Sequence, residues 1–265
     1  MNPGEKAMNG IKTIYAEDYI HPLDRQLMDK VYGLPTIKQV IDSAHRGGLN
    51  DVCNYIISAS YVKLPPDHYA HELLREICGQ FSLDKIPELY IKRSYDYSLE
   101  LSGYANPAII ISDKLAAEAG PEIMKARLIG GAAGICAGHH KLDLLLWLIE
   151  SIELSVPILG TVIEQTLNEW SRCRGFTTDR AVYMVTGDGE LALKNILYGK
   201  IPKDVWDSFS FGGGKGDTFW KQVDDFYCRD GIIGKAAALY GFLQKEEQVP
   251  RRYKELHEFI NNRKV

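Results

Sequence analysis

Apolar side chains recur at three- and four-residue spacing over most of this chain, which is the pattern of amphipathic helices. Within residues 24–41 the pattern predicts a helix that ends at the Gly-Leu-Pro sequence of residues 33–35, and a second helix after that turn. The same spacing predicts a helix over residues 67–81. Beyond residue 112 the chain is predicted to be mostly helical, in segments at 113–119, 121–152, 158–186, 189–197, 219–227, 231–243 and 250–262.

Three short apolar segments bounded by turn residues have the character of strands. They cover residues 87–91, 98–101 and 108–112, and a turn at 103–107 joins the last two. A small sheet placed among many helices is typical of an α+β fold, because an α/β fold alternates strands and helices regularly. We therefore predict a mostly helical α+β protein.

The chain has no internal repeat and no low-complexity linker, so we predict one domain over residues 1–265. Residues 1–20 are predicted to form an N-terminal extension, and the glycine-rich residues 208–220 a flexible loop. The formal net charge is −4 and the hydrophobic fraction is 45%. These values are ordinary for a globular protein and give no long-range attraction for nucleic acid. The expected partners are peptides or proteins, and the oligomeric state is left open.

The cysteines and the N-terminus indicate a cytoplasmic protein. Five cysteines at irregular spacing include no C-x-x-C pair, which predicts reduced thiols and no disulfide framework. The N-terminus lacks an apolar core of signal-peptide length. The most apolar stretch, residues 142–163, contains the carboxylates of Asp143, Glu150 and Glu153, which make a membrane span costly. Peripheral membrane contact through residues 144–148 stays open.

Glycines form a stripe along the uncharged segment 128–138. Gly130, Gly134 and Gly138 are four residues apart, and each glycine costs a helix about 1 kcal/mol relative to alanine. The spacing therefore predicts that another part of the chain packs very closely on this helix, backbone against backbone.

Five sequence segments resemble, in order, the blocks of the soluble domain of HtpX-like or CaaX-prenyl-protease-like zinc metallopeptidases. They are YIHPLDRQLMDKVYGLP, IPELYIKRS, SLELSGYANPAIIISDKL, RLIGGAAGICAGHHKLD and NEWSRCRGFTTDRAVYMVTGD. The resemblance covers most of the chain and implies a zincin-like domain, mostly helical with a small sheet. In that family the glycine-bearing helix carries an HExxH motif, in which two histidines bind zinc and the glutamate is the general base.

The chain lacks most of the residues that this chemistry requires. The residues that match HExxH are Ile135, Cys136, Ala137, Gly138 and His139. One histidine therefore remains, while isoleucine replaces the first ligand and cysteine replaces the base. A shift of the alignment by one residue would make His140 the retained histidine, but it would not create the motif, because residues 126–149 contain no glutamate.

The third zinc ligand of the family, a glutamate on a later helix, is also missing. The corresponding position is Gly175. Asp179 and Arg180 do match the family pattern, in which the aspartate orients the site without binding the metal. The resemblance thus implies a preserved scaffold without a metal site, and we expect no cofactor and no catalytic residue.

Two other classes of function stay open. Cys136, His139 and His140 are at i, i+3 and i+4, so on one helix the cysteine could meet either imidazole. Such a cluster could bind a soft metal, and together with Asp179 it would give an active zinc metalloendopeptidase with unconventional ligands. It could also lower the pKa of the thiol and give an enzyme that uses Cys136 with His139. A buried cysteine packed as a small apolar residue is the simpler interpretation.

The resemblance also implies where a partner would bind. Residues Ser98, Leu99, Glu100 and Leu101 match the strand that lines the cleft of this family and pairs with extended substrate. An edge strand offers main-chain hydrogen bonds whatever the sequence of the peptide. We therefore expect a catalytically inactive homologue that binds a peptide or protein in its degenerate cleft as an adaptor. The alternative that a helix or loop covers this strand is equally open.

Overall fold

The structure is a computed structural model, and it describes residues 13–35, 37–39, 48–152, 157–200, 221 and 249–263, with backbone alone at 147–152 and 157–164. The predicted loop at 208–220 lies outside these residues. So do the predicted helices at 219–227 and 231–243, except for residue 221.

Helices make up most of the described chain. In chain order they are α1 (Ala16–Tyr19), α2 (Pro22–Gly33), α3 (Leu49–Ser60), α4 (Ala70–Gln80), α5 (Asp113–Glu118), α6 (Pro121–Ala137), α7 (His139–Ile152), α8 (Pro157–Thr186), α9 (Gly189–Leu197) and α10 (Val249–Arg263). The predicted helices at 24–33 and 67–81 are confirmed as α2 and α4. α2 begins where predicted because Pro22 occupies its first turn and the His21 side chain accepts a hydrogen bond from the Leu23 N–H.

Four strands form one mixed sheet in the order β1, β2, β4, β3. Their bounds are β1 (Val62–Lys63), β2 (Glu88–Lys92), β3 (Leu99–Ser102) and β4 (Ala108–Ser112). β2 and β4 are parallel, whereas β1 and β3 pair antiparallel at the two edges. The three predicted strands are confirmed to within one residue. β1 was not predicted, because two residues are too short to show an alternating pattern. With its many helices and small sheet, the protein is α+β.

The central strand β4 is buried on both faces. Ile109 and Ile111 point into the main core, which includes residues of α4, α6 and α9. Ile110 points to the other face, where it packs with Ile57 of α3 and Tyr90 of β2. The sheet therefore separates a large helical core from a thin layer that α3 supplies.

The chain breaks its helix at Gly138, so the prediction of one continuous helical segment at 121–152 was wrong. Gly138 follows the last residue of α6 and has a left-handed backbone with φ of 85°. Glycine adopts this conformation without strain and commonly ends helices in this way. As a result Cys136 ends up on α6, while His139 and His140 start α7.

Within the predicted glycine stripe the close approach is confirmed at Gly134, where a side chain makes it instead of backbone; Gly131, outside the stripe, is also closely approached. Leu101 Cδ1 lies 2.8 Å from where a Cβ on Gly134 would be, and Leu99 Cδ2 lies 3.2 Å from the same point on Gly131. Any larger residue at Gly134 would collide with the side chain of Leu101. The missing Cβ atoms on α6 thus set how close β3 lies to that helix.

The segment predicted as an N-terminal extension contributes to the core, since Ile14 and Tyr19 are buried there. In the stretch considered for peripheral membrane contact, Leu145 is buried and packs beside Trp170 in a second apolar cluster. Within the described part of the chain, no helix is long and apolar enough to cross a bilayer.

Candidate functional site

Of the residues that match the family's zinc site, Ile135, His139 and Gly175 are buried and Cys136 is partly buried. Ile135 and Cys136 lie in the last turn of α6, His139 begins α7, and Gly175 lies on α8. His139 is 1% exposed and Ile135 is 7% exposed. A metal that activates water needs a position open to solvent and substrate, and these residues are packed inside the protein instead.

The partner of the His139 ring is a buried carboxylate. His139 Nε2 lies 2.8 Å from Asp24 Oδ2, and the indole Nε1 of Trp170 donates to Asp24 Oδ1 at 2.9 Å. The Thr177 hydroxyl also donates to Asp24 Oδ2. Asp24 itself has no exposed surface. The structure thus brings four residues of α2, α7 and α8 together in one buried cluster, which we call the Asp24 cluster.

The hydrogen bonds of the Asp24 cluster decide the charge of its carboxylate. Burial acts to raise the pKa of Asp24, but hydrogen bonds and charge from His139, followed by hydrogen bonds from Thr177 and Trp170, outweigh it. The pKa of Asp24 therefore lies below its ordinary value. The carboxylate is ionised at neutral pH and accepts from three different side chains.

The sequence contains one signal for Asp24. It is three residues before Leu27, four before Met28 and seven before Val31, so it lies on the apolar face of α2. A carboxylate on the buried face of a helix requires donors from elsewhere in the fold. The signal predicts that a buried partner exists but does not identify it.

The cluster extends to the C-terminal helix through His21. The main-chain N–H of His21 donates to Thr177 Oγ1 at 3.0 Å, and its ring Nε2 lies 3.0 Å from Glu255 Oε2 on α10. Hydrogen bonding to His21, together with nearby arginines, outweighs burial and lowers the pKa of Glu255. His21 therefore links Thr177 on α8 to Glu255 on α10.

An arginine lies against Gly175, the position that the resemblance matched to the third ligand. Arg252 Nε donates to Asp179 Oδ2 at 2.9 Å, and its second terminal nitrogen donates to Asp179 Oδ1 at 2.7 Å. Both side chains are buried. A Cβ on Gly175 would lie 2.8 Å from Arg252 Nε. Any side chain at position 175 would therefore collide with the Arg252 guanidinium unless Arg252 moved.

Asp179 and Arg180, which the resemblance assigned to support a metal site, have other contacts. Asp179 binds Arg252, as described above. The Arg180 guanidinium lies over the ring of Phe259, 4.6 Å from its centre. Both residues therefore fasten α8 to α10.

The ring nitrogens of the two candidate histidines point to different partners. His140 Nε2 lies 3.2 Å from the Tyr104 carbonyl oxygen, so this nitrogen donates, while His139 Nε2 faces Asp24. Burial lowers the pKa of His140 to about 4, which leaves its imidazole neutral at pH 7. Across the described residues, no three side chains of His, Cys, Asp or Glu are grouped in a way that could hold a metal ion.

The Cys136 thiol lies in apolar surroundings beside Tyr19, whose hydroxyl donates to the Ala133 carbonyl at 3.2 Å. Burial raises the pKa of Cys136 to about 11, although the contact with Tyr19 works in the opposite direction. A catalytic cysteine needs a lowered pKa, because the thiolate is the nucleophile. The surroundings of Cys136 favour the protonated, unreactive form.

We expect Cys136 to react with N-ethylmaleimide at pH 7 roughly several hundredfold more slowly than an exposed cysteine, because little of it is thiolate. Mass spectrometry of peptides from the native protein measures this rate, and the same protein unfolded in urea provides the reference. Rapid labelling of native Cys136 at pH 7 would instead support the thiol-dependent enzyme.

The outer edge of β3, away from β4, has main-chain groups that do not pair with another strand. The Ser112 N–H donates to the Ser98 carbonyl at 3.0 Å, and hydrogen-bonded pairs alternate along an antiparallel ladder. By this alternation, with the register of β3 and β4, the N–H and C=O groups of Leu99 and Leu101 point away from β4. Among the described residues, none forms a hydrogen bond to these four groups.

A groove of about 430 Å³ lies beside this edge. It is lined by residues of β3, β4, α3, α7 and α8: Cys53, Ile56, Tyr61, Glu100, Leu101, Ser102, Ile110, Asp143, Leu144, Leu146 and Arg174. Arg174 donates a hydrogen bond to Asp143 at one side of it. Burial raises the pKa of Asp143, against the effect of Arg174. None of Ile135, Cys136, His139 and Gly175 lines the groove.

The structure thus separates two features that the resemblance placed together, a closed cluster around Asp24 and an open groove along β3.

Comparison with models of known families, with curated proteins and with solved structures finds no match to this chain. The kinship with HtpX-like metallopeptidases therefore stays a hypothesis that rests on the five sequence segments.

Proposed function

We propose that the protein is a catalytically inactive relative of the HtpX-like zinc metallopeptidases, with a zincin-like fold, that binds an extended peptide or protein segment along β3. The observation that carries this proposal is the outward-facing main chain of Leu99 and Leu101 beside the groove. An edge strand of this kind can accept one further strand through main-chain hydrogen bonds.

The Asp24 cluster supports the loss of catalysis. Hydrolysis by the family mechanism needs a metal, a base and an open coordination position. Here Asp24 engages His139 Nε2, and Arg252 lies against Gly175. To rebuild a zinc site, both of these buried partners would have to move. Substituting the missing ligands alone would not be enough.

Binding does not depend on those groups. Main-chain pairing needs donors and acceptors at the right spacing, and the edge of β3 supplies them without a metal. The groove beside it can receive side chains of the bound segment. An adaptor role is thus compatible with a closed former active site.

We expect Leu99→Pro to weaken peptide binding about tenfold. Proline removes the outward N–H and therefore one hydrogen bond to the peptide, and it also restricts the backbone of the edge. A single such bond contributes about 0.5–1.5 kcal/mol. The probe is a peptide selected on the immobilised protein from a phage-displayed library of random dodecapeptides, and its affinity is measured by isothermal titration. A chelator should leave the affinity unchanged.

The matched control is Lys63→Pro at the opposite edge. The Leu64 N–H donates to the Leu89 carbonyl, so by the same alternation the N–H of Lys63 also points out of the sheet. Lys63→Pro should bind as the natural protein does. Leu99 is also half-buried against Gly131, so its replacement could disturb the fold. Circular dichroism therefore checks that each variant is folded. Unchanged affinity of a folded Leu99→Pro variant would place binding elsewhere. About one tightly held zinc per chain together with casein cleavage would favour the metallopeptidase alternative.

A further inference from the structure

We propose that the groove along β3 selects a segment with an aromatic side chain, which enters the space between α3 and α7. This inference rests on the proposed function, because it assumes that an extended segment pairs with β3. It adds the chemical class of the ligand residue that gives specificity. The argument uses the direction of side chains on a sheet, the walls of the groove and its size.

The faces of β3 determine which ligand residues reach the groove. Side chains alternate between the two faces of a strand. Leu99 and Leu101 point their side chains at the glycines of α6, so Glu100 and Ser102 face the opposite side, toward α3. A residue of an added strand that lies directly opposite Glu100 or Ser102 faces the same side. It therefore projects into the groove.

The walls of the groove are mainly apolar. Ile56 of α3 and Leu144 and Leu146 of α7 line it together with Tyr61, which follows α3. Such surroundings favour an apolar side chain, since burying a Phe-sized group gains about 1.5–3 kcal/mol. Tyr61 also offers a ring for an edge-to-face or offset aromatic pair.

The charged residues of the groove already have partners, within the groove or on the neighbouring strand β2. The Lys92 ammonium donates to Glu100, and the Arg174 guanidinium donates to Asp143. A charged ligand side chain would have to compete with these partners and would lose its own hydration. The chemistry of the groove thus favours a neutral residue over an acidic or basic one.

The size of the groove favours an aromatic residue over an aliphatic one. Its volume of about 430 Å³ falls within the range of about 300–1,000 Å³ that small-molecule pockets occupy. That space has room for an aromatic side chain, and aromatic side chains bury about 150–250 Å² each. Phenylalanine, tyrosine or tryptophan makes the larger contact.

The test uses the same library of random dodecapeptides on two proteins, the natural chain and Ile56→Trp. Ile56 is half-buried on the wall of the groove, so tryptophan there fills the space. The natural protein should enrich peptides with an aromatic residue at one fixed position. Changing that residue to alanine in a synthetic peptide should weaken binding about 10- to 100-fold.

With Ile56→Trp the aromatic preference should disappear, and the alanine peptide should bind as well as the aromatic one. The control is Tyr55→Trp, which places the same side chain on α3 at a position that is 75% exposed. It should keep the preference. Circular dichroism and the retained affinity for the alanine peptide verify that the Ile56→Trp variant is folded.

The outcomes separate this inference from the proposed function. If the natural protein enriches no peptide, the binding function itself is wrong and this inference with it. Suppose instead that peptides are enriched and that Leu99→Pro weakens their binding. Strand pairing is then supported, even if no fixed position is aromatic or Ile56→Trp leaves the aromatic preference intact. In either of these last two cases the aromatic selection is refuted.

Discussion

Replacing Asp24 with alanine should lower the free energy of unfolding by about 3–5 kcal/mol. The change leaves three buried donors, on His139, Trp170 and Thr177, without their common acceptor. Each orphaned buried donor costs about 1–3 kcal/mol, and breaking a buried charged pair by removing one partner costs about 3–5 kcal/mol. Urea denaturation followed by tryptophan fluorescence measures the effect.

The control for Asp24→Ala is Asp29→Ala, which removes an exposed carboxylate from the same helix and should change stability by less than about 0.5 kcal/mol. If the two variants were equally stable, the Asp24 cluster would contribute nothing to folding.

The contribution of Asp24 should also depend on pH in a defined direction. Its pKa is lowered in the folded protein, so the unfolded chain binds a proton more readily than the folded one. The stabilisation is therefore fully present above the unfolded pKa of about 4 and is lost as the pH falls through the folded value. The stability difference between the natural protein and Asp24→Asn should be larger at pH 7 than at pH 3. An equal difference at both values would contradict a lowered pKa.

Replacing Arg252 with alanine should cost a similar amount, about 3–5 kcal/mol, because the buried Asp179 carboxylate loses both hydrogen bonds of a bidentate pair. The loss should detach α10 from α8, which hydrogen exchange of the α10 amides can detect. Lys254→Ala on the same helix is the charge-matched control. Lys254 is more exposed and lies 3.8 Å from Glu258, so its removal should cost less than about 0.5 kcal/mol.

The double variant Gly175→Ala with Arg252→Ala tests whether the two residues are coupled. Alone, Gly175→Ala forces Arg252 to move, since the new Cβ would lie 2.8 Å from Arg252 Nε. After Arg252→Ala the methyl group has room. The double variant should therefore lose clearly less free energy of unfolding than the sum of the losses in the two single variants. If the two losses of unfolding free energy simply add, the contact with Arg252 does not limit the size of the side chain at position 175.

The sequence predicts those parts of the fold that depend on residues close together in the chain. The segment at 108–112 combines a run of isoleucines with a preceding turn, and β4 has those bounds. The glycine stripe predicted close packing, which Leu101 provides at Gly134. The stop at Gly138 had a local signal too, since glycine commonly follows the last residue of a helix. We missed it because the pattern of HExxH assumes one uninterrupted helix.

The candidate site could be predicted only in part, because its partners are distant in sequence. The absence of zinc ligands at Ile135 and Gly175 is visible in the sequence itself. The buried partners of His139 and Asp179 are not visible there, since Asp24 is 115 residues from His139 and Arg252 is 73 residues from Asp179. Periodicity describes which face of a helix is buried, but it does not identify which residue of another helix meets that face.

The link between His21 and Glu255 spans 234 residues, and this has a consequence for synthesis. During translation α2 and α8 emerge before α10. Gly175 and Asp179 therefore cannot contact Arg252 until α10 has been made. Contacts this far apart in sequence form slowly, because a very long loop must close first. We expect the nascent chain to expose part of its core until α10 leaves the ribosome, and so to depend on chaperones during that interval.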